Sequence, residues 1–137
     1  RPTIRAARAD SSSDVRWPMR SFRLTAGWGS SDISYHRRRF HAGIDLAAPY
    51  GTPIYAASSG VVSQSGWGAY GLNVYTRNGN STLVYGHMSR VVVGAGQSVG
   101  QGQLIGYIGC TGICTGPHVH FEVRINGRPV NPMAYLR

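Results

Sequence analysis

The sequence of 137 residues contains no lysine, one glutamate, five acidic residues in all and two cysteines. Without lysine, no mechanism is open that needs a lysine amine as nucleophile, Schiff base or tethered swinging arm. No run of eighteen apolar residues occurs, so no membrane-spanning helix is expected. No segment carries a 3.6-residue amphipathic pattern, which leaves little room for surface helices. The chain opens with Arg1-Pro2-Thr3-Ile4-Arg5 and not with a leader, as a trimmed secreted domain or a cytosolic protein would. Cys110 and Cys114 lie in Gly109-Cys110-Thr111-Gly112-Ile113-Cys114. A local disulfide across this loop is preferred to a pair of free thiols, and it favours an oxidising compartment. Two thiolates are too few for a metal site of their own.

What is abundant is arginine and glycine. Fourteen arginines against five acids give a net charge of +9. An excess of that sign favours an anionic polymer, whether nucleic acid, acidic lipid or bacterial wall, without choosing among them. At this length one domain can bury a sizeable core. Residues 1–16 are mostly Arg, Ala, Ser and Asp and read as a flexible basic arm, and the folded unit is placed at 17–137, from Trp17-Pro18. Arg37-Arg38-Arg39 reads as a solvated loop.

From Gly51 onward the pattern is β. Pro53-Ile54-Tyr55-Ala56, Gly60-Val61-Val62-Ser63, Leu72-Asn73-Val74-Tyr75-Thr76 and Ser81-Thr82-Leu83-Val84-Tyr85 are short β-branched or aromatic runs between glycines. Asn78-Gly79 and Asn126-Gly127 each stand between such runs as hairpin signals. Val119, Phe121 and Val123 alternate with His118, His120 and Glu122, so a strand there has one apolar face and one polar face. The expected fold is mostly β: a single domain of short antiparallel strands with Gly-rich turns and hammerhead-like β elements, its active-site groove over a central sheet.

Four of the five histidines and one aspartate fall in three strings with apolar or glycine neighbours: His41-Ala42-Gly43-Ile44-Asp45, Tyr85-Gly86-His87-Met88 and His118-Val119-His120. Imidazole and carboxylate together are the ligand set of a hydrolytic zinc site. On a strand, His118 and His120 project from one face and can reach one ion or one substrate. In extended chain the Cα atoms of His41 and Asp45 stand about 13 Å apart, so the chain must bend for both to meet one ion. Gly43 permits that bend and puts no side chain between them. His87, taken alone, reads as a satisfied structural histidine sooner than a catalytic one. His36 reads as an exposed loop residue.

The order and wording of these strings resemble the lysostaphin-type, or LytM-domain, zinc endopeptidases of peptidoglycan. A His-x3-Asp string, a later lone His and a terminal His-x-His occur here in that order, within Gly51-Thr52-Pro53-Ile54-Tyr55-Ala56 and Thr115-Gly116-Pro117-His118-Val119-His120-Phe121-Glu122 phrases that are similar to the family's. The likeness covers residues 17–137. It implies one zinc ion held by His41, Asp45 and His120, with His87 and His118 as catalytic histidines. Tyr35, in the loop before the first ligand, is the candidate that completes the site. The chemistry agrees, since two His and one carboxylate leave an open position for water, His118 can take or orient the water's proton, and His87 and Tyr35 can hydrogen-bond a developing oxyanion. Which histidine is the base stays open. Glu122, two residues beyond His120, reads as structural, paired with an arginine.

The resemblance further implies a bacterial peptidoglycan substrate and a secreted, periplasmic or wall-associated monomer. The bond, glycyl-glycine or D-alanyl, stays open, and the loops 28–40, 66–71 and 110–117 are those expected to choose it. Trp67 and Tyr70 either line the groove or pack a loop. Rival readings are weaker. A non-catalytic wall-binding or activator domain would be expected to have lost ligands, and none is missing. The Gly96–Gly106 stretch looks like a biotinyl or lipoyl carrier, but a carrier needs a lysine. A nucleic-acid binder would explain the charge, yet no recognised motif accompanies it.

Overall fold

The computed structural model describes residues 15–29, 41–111 and 116–137. Among the described residues ten strands form in chain order: β1 (Arg23–Ala26), β2 (Ile44–Ala47), β3 (Pro53–Tyr55), β4 (Gly60–Gly68), β5 (Gly71–Asn78), β6 (Ser81–Val91), β7 (Ser98–Val99), β8 (Leu104–Ile108), β9 (His118–Ile125) and β10 (Arg128–Val130). A 3-10 turn, Pro132–Ala134, follows and is capped by the Asn131 side chain. No α-helix occurs among the described residues. The sheet runs β1-β2-β9-β6-β5-β4-β7, with β10 on β9 and β8 joined to β3 and β6. Every strand pair is antiparallel.

The turns follow from which residues tolerate a left-handed backbone. Asn126 and Gly127 both take positive φ, 53° and 81°, between the paired Ile125 and Arg128. That is the two-residue primed turn that Asn-Gly favours. The β5–β6 hairpin differs from the Asn78-Gly79 reading. Asn78 pairs with Ser81, so the loop residues are Gly79 and Asn80, and of the two only Gly79 has positive φ. Glycine at the first loop position is the demand of a type II′ turn, one residue further on than the Asn-Gly signal suggests.

The core collects Ile44, Leu46, Ile54, Val62, Val74, Tyr85, Met88, Ile105, Ile108, Val119, Phe121 and Val123. Ile44 and Leu46 on β2 and Val119, Phe121 and Val123 on β9 alternate along their strands, so their side chains share one buried sheet face. Packing begins before Trp17: Val15 is buried in the core and bridges Leu136, and Arg16 N–H donates to the Ala57 carbonyl at 2.9 Å. The folded unit therefore includes two residues that composition assigned to the arm.

The long strand β6 organises the site end of the sheet. Its first half, up to Gly86, pairs with β9, and its second half, from Met88, pairs with β8. His87 is the residue between, where β6 changes partners. It also lies in a bulge, since Gly86 and His87 together oppose the interval between Leu72 and Val74 of β5. Its φ of 62° is unusual for a residue with a side chain. A bulge of this kind bends the strand and re-aims one side chain. Here the side chain is that of His87.

Candidate metal centre and active site

Two adjacent strands supply the centre of the site. Asp45 on β2 pairs with His120 on β9, and Ala47 pairs with His118. Partners across an antiparallel pair face the same way, so Asp45, His118 and His120 share one sheet face. His120 Nδ1 lies 3.0 Å from Asp45 Oδ1, and His118 Nε2 lies 4.0 Å from the same oxygen. His41 arrives from the segment before β2. Its Nε2 stands 3.4 Å from Asp45 Oδ1, so the chain does bend between the two. Gly43 makes the bend possible by close packing and not by positive φ. A Cβ there would run into the Phe121 carbonyl oxygen and come within 2.7 Å of Glu122 Cγ.

The ligand atoms of His41, Asp45 and His120 all lie within 4.8 Å of one another. Among the described residues this is the one such group. Two imidazole nitrogens and one carboxylate oxygen fit a zinc ion by donor type. They also fit by spacing, since tetrahedral ligands about 2.0–2.1 Å from an ion are about 3.4 Å apart. Each imidazole is oriented through its other nitrogen, as ligating histidines require. His41 Nδ1–H donates to the Gly27 carbonyl at 2.8 Å, and His120 Nε2–H donates to Glu122 Oε2 at 2.7 Å.

His87 and His118 face this group with ring centroids 4.9 Å apart. His87 Nδ1 is 2.6 Å from the Thr111 carbonyl and His118 Nδ1 is 2.8 Å from the Gly116 carbonyl. A carbonyl only accepts, so both Nδ1 atoms carry a proton, and in the neutral form of either ring Nε2 presents the lone pair. The polar face of β9 ends in Glu122, which is wholly buried. Its partners are Arg124 Nε at 2.7 Å, His120 and the hydroxyl of Tyr70. The arginine pairing expected from the sequence is present, and two further partners accompany it.

The charges follow from these neighbours. Burial alone would push the carboxyls of Asp45 and Glu122 up. The hydrogen bonds from His120 and His41 outweigh that at Asp45 and hold it well below the usual carboxylate range. Those from His120, Tyr70 and Arg124 hold Glu122 at about 2. Burial works against the charged form of His120, yet Asp45 and Glu122 on its two sides raise it to about 9. The hydrogen bond to Asp45 raises His41 as well. His87 moves the opposite way, lowered chiefly by burial. Among the described residues Asp45 and Glu122 are the only acidic side chains, and both stand in this site.

Tyr35, His36 and Arg37-Arg38-Arg39 lie outside the described residues, as does Cys114. Tyr70 and Trp67, which sequence left undecided, separate. Tyr70 stacks on His120 at 4.5 Å between ring centroids, whereas Trp67 is 71 % exposed near the end of the β4–β5 hairpin. Sequence reading missed Thr111 altogether. Its carbonyl holds His87, while its hydroxyl donates to the Met88 carbonyl at 2.7 Å and accepts from Leu72 N–H at 3.0 Å. It thereby ties the bulge of β6 to β5. A lone Thr beside a Cys and a Gly carries no signal of that duty. The Gly27 carbonyl is likewise a backbone contact that side-chain motifs do not announce.

Known proteins resemble this chain over most of its length. The model of peptidase family M23 matches residues 39–132. The DD-carboxypeptidase/endopeptidase Mpg of Neisseria meningitidis serogroup B is 46% identical over 101 residues, which is 72% of this chain and 23% of that protein. The chain thus spans about a quarter of the length of the curated relatives it matches. A zinc containing peptidase from Vibrio cholerae superposes with a TM-score of 0.76 at 32% identity, covering 88% of this chain and 39% of that one. The catalytic domain of the prophage-encoded M23 protein EnpA from Enterococcus faecalis, in a mutant form, superposes with a TM-score of 0.75 at 38% identity and covers 87% and 96% of the two chains.

Proposed function

The chain belongs to peptidase family M23, and from that membership we propose that it is a zinc-dependent endopeptidase hydrolysing peptide bonds in the stem peptides or cross-bridges of peptidoglycan. The observation that carries this reading is the convergence of His41, Asp45 and His120 with two further histidines, His118 with Nε2 4.0 Å from Asp45 and His87 with its ring 6.3 Å from that of His120. Relatives named as peptidoglycan DD-endopeptidases and as a DD-carboxypeptidase/endopeptidase support the substrate class. In this reading His41 Nε2, Asp45 Oδ1 and His120 Nδ1 hold one zinc ion.

When bound, a zinc ion acidifies water and polarises a scissile carbonyl. The chain's own residues then move the protons. Because its Nδ1–H is committed to Gly116, His118 offers Nε2 as an acceptor close to Asp45. We assign it the proton of the attacking water and its delivery to the leaving amine, so that one C–O bond forms as one C–N bond breaks. Burial lowers the pKa of His87, and the Thr111 carbonyl orients its ring. His87 is assigned to the other side of the reacting carbonyl, where Nε2, after taking a proton from solvent, donates to the oxyanion. Tyr35 is assigned the second donor.

The same reading places the protein in the bacterial envelope as a monomer, with Cys110 and Cys114 joined in a disulfide and peptidoglycan, not nucleic acid, as its partner. A net charge of +9 suits an anionic wall. The test is release of new amino groups from purified peptidoglycan, abolished by a chelator and restored by zinc. Wall binding without release, in a protein that holds zinc, would instead make it a binding or activator domain.

A further inference from the structure

Glu122 stands where a carboxylate is costly. It is 0 % exposed, and a buried charge is tolerated only when it is paired and hydrogen-bonded. The surrounding sequence is arranged to receive it. Arg124, two residues on along the same face of β9, donates Nε–H to Oε1 and lies over the Tyr75 ring at 5.4 Å. Tyr70 donates its hydroxyl to Oε2. Two glycines admit these groups. A Cβ on Gly43 would come within 2.7 Å of Glu122 Cγ, and a Cβ on Gly86 would come within 2.7 Å of Tyr70 Cβ. Gly86 is the cross-strand partner of His120, so the space it leaves lets the Tyr70 ring settle over that imidazole. Strand β9, the β4–β5 turn and two glycines thus converge on one carboxylate, and the remaining group that this carboxylate contacts is His120 Nε2.

We infer that Glu122 is the positioning residue of the metal centre, fixing the Nε2 proton of His120 so that Nδ1 is left as the ligand, and that Tyr70 and Arg124 act on the metal by holding Glu122. This rests on the zinc reading of the site. Without Glu122, His120 can rotate about its ring axis or carry its proton on Nδ1, and either loses the ligand atom that faces Asp45. The Tyr70 hydroxyl is already committed to Glu122, which sets it apart from a substrate-facing tyrosine.

The test is zinc affinity, measured on the purified chain by competition with a chromophoric chelator. Glu122→Gln should weaken binding by about tenfold to a hundredfold, as for loss of a carboxylate behind a ligating histidine. Tyr70→Phe should weaken it by about threefold to tenfold, as for one net hydrogen bond. In excess chelator Tyr70→Phe should also lose some thermal stability, because the buried Glu122 then keeps one hydrogen bond fewer. The proton position on zinc-loaded His120 is therefore the readout that a merely structural role would not move. Long-range proton–nitrogen NMR of the zinc-loaded wild type should place the His120 proton on Nε2. If Glu122→Gln does not fold, Tyr70→Phe and the NMR assignment decide alone. Unchanged zinc affinity in the folded variants, or a proton on Nδ1 of loaded His120, would overturn the inference while leaving the zinc site intact. Failure of the wild type to take up zinc would sink the zinc reading itself, and this inference with it.

Discussion

His118 and His120 stand two residues apart on one face of β9, yet their nitrogens meet opposite company. His120 lies between two carboxylates, Asp45 at 3.0 Å and Glu122 at 2.7 Å. His118 and its neighbour His87 are tethered to neutral backbone carbonyls, those of Gly116 and Thr111. One corner of the site therefore concentrates negative charge around imidazole, which suits a cation. The other keeps its imidazoles oriented with lone pairs exposed, which suits proton transfer. The same side-chain type is turned to two uses by what lies behind it.

The sharpest way to break this division is to remove members of each corner. His41→Ala, Asp45→Ala and His120→Ala should lose zinc and hydrolysis together, read by elemental analysis beside amino-group release. His118→Ala and His87→Ala should keep zinc at the wild-type ratio and lose about 10²–10⁴ in turnover, the usual worth of a positioned acid or base. Zinc loss in the His118 variant would move that residue into the metal corner. Full turnover would remove its catalytic assignment.

How much of this division could be read beforehand depends on where the information sits. Period two along a strand made candidates legible, while the choice of His41, Asp45 and His120 as ligands came from the family resemblance. His118 and His120 share a face by period two, and the register of β2 on β9 adds Asp45. The strands and their antiparallel order were legible for the same reason. What lay beyond sequence is non-local or carried by the backbone. Nothing in Tyr85-Gly86-His87-Met88 states that β6 changes partners at His87, because that depends on β8 and β9 arriving from far along the chain. Nor does Gly43 disclose that its bare Cα is needed against β9 and not for a left-handed turn. Glu122 was read as paired with an arginine, but its link to Tyr70 spans 52 residues.

Gly43 gives the next largest effect, because it serves the ligand corner alone. Gly43→Ala would place a methyl against the Phe121 carbonyl and Glu122 Cγ. Backbone atoms cannot yield as a flexible side chain can, so a loss of about 1–3 kcal/mol is expected in chelator-treated protein. Zinc affinity should fall with it, since the same shift carries His41 away from Asp45. The catalytic corner should be untouched. A normal zinc affinity in this variant would show that the approach of His41 does not depend on the glycine.

The two corners should also respond to pH in opposite senses when the metal is absent. Glu122 is held at about 2 against an ordinary 4.5, and Asp45 is lowered too. Their stabilisation is whole above about pH 4.5 and is lost as pH falls through 2. His120 is raised to about 9 against 6.5, so its contribution is whole below pH 6.5 and lost as pH rises through 9. His41 follows His120 in sign. His87 is depressed by burial, so it disfavours folding as pH falls below 6.5 and trims the acid side. Chemical denaturation in chelator should therefore show greatest stability on the acid side of neutrality, falling between pH 6.5 and 9. Saturating zinc should remove that alkaline fall, because the metal then occupies the His120 nitrogen that the proton held. A flat alkaline limb in chelator would mean that His120 is not flanked by two charged carboxylates.

The smallest effect is expected outside both corners, at Trp67. It is 71 % exposed, near the end of the β4–β5 hairpin, a few residues from Tyr70. Trp67→Ala should change stability by no more than about 0.5 kcal/mol, since an exposed side chain loses little packing. Zinc affinity should also hold, because nothing in the Glu122 network touches the indole. If the hairpin forms a wall of the groove, the variant should raise KM for cross-linked peptidoglycan fragments and leave kcat in place. An unchanged KM would confine recognition to the segments nearer the histidines.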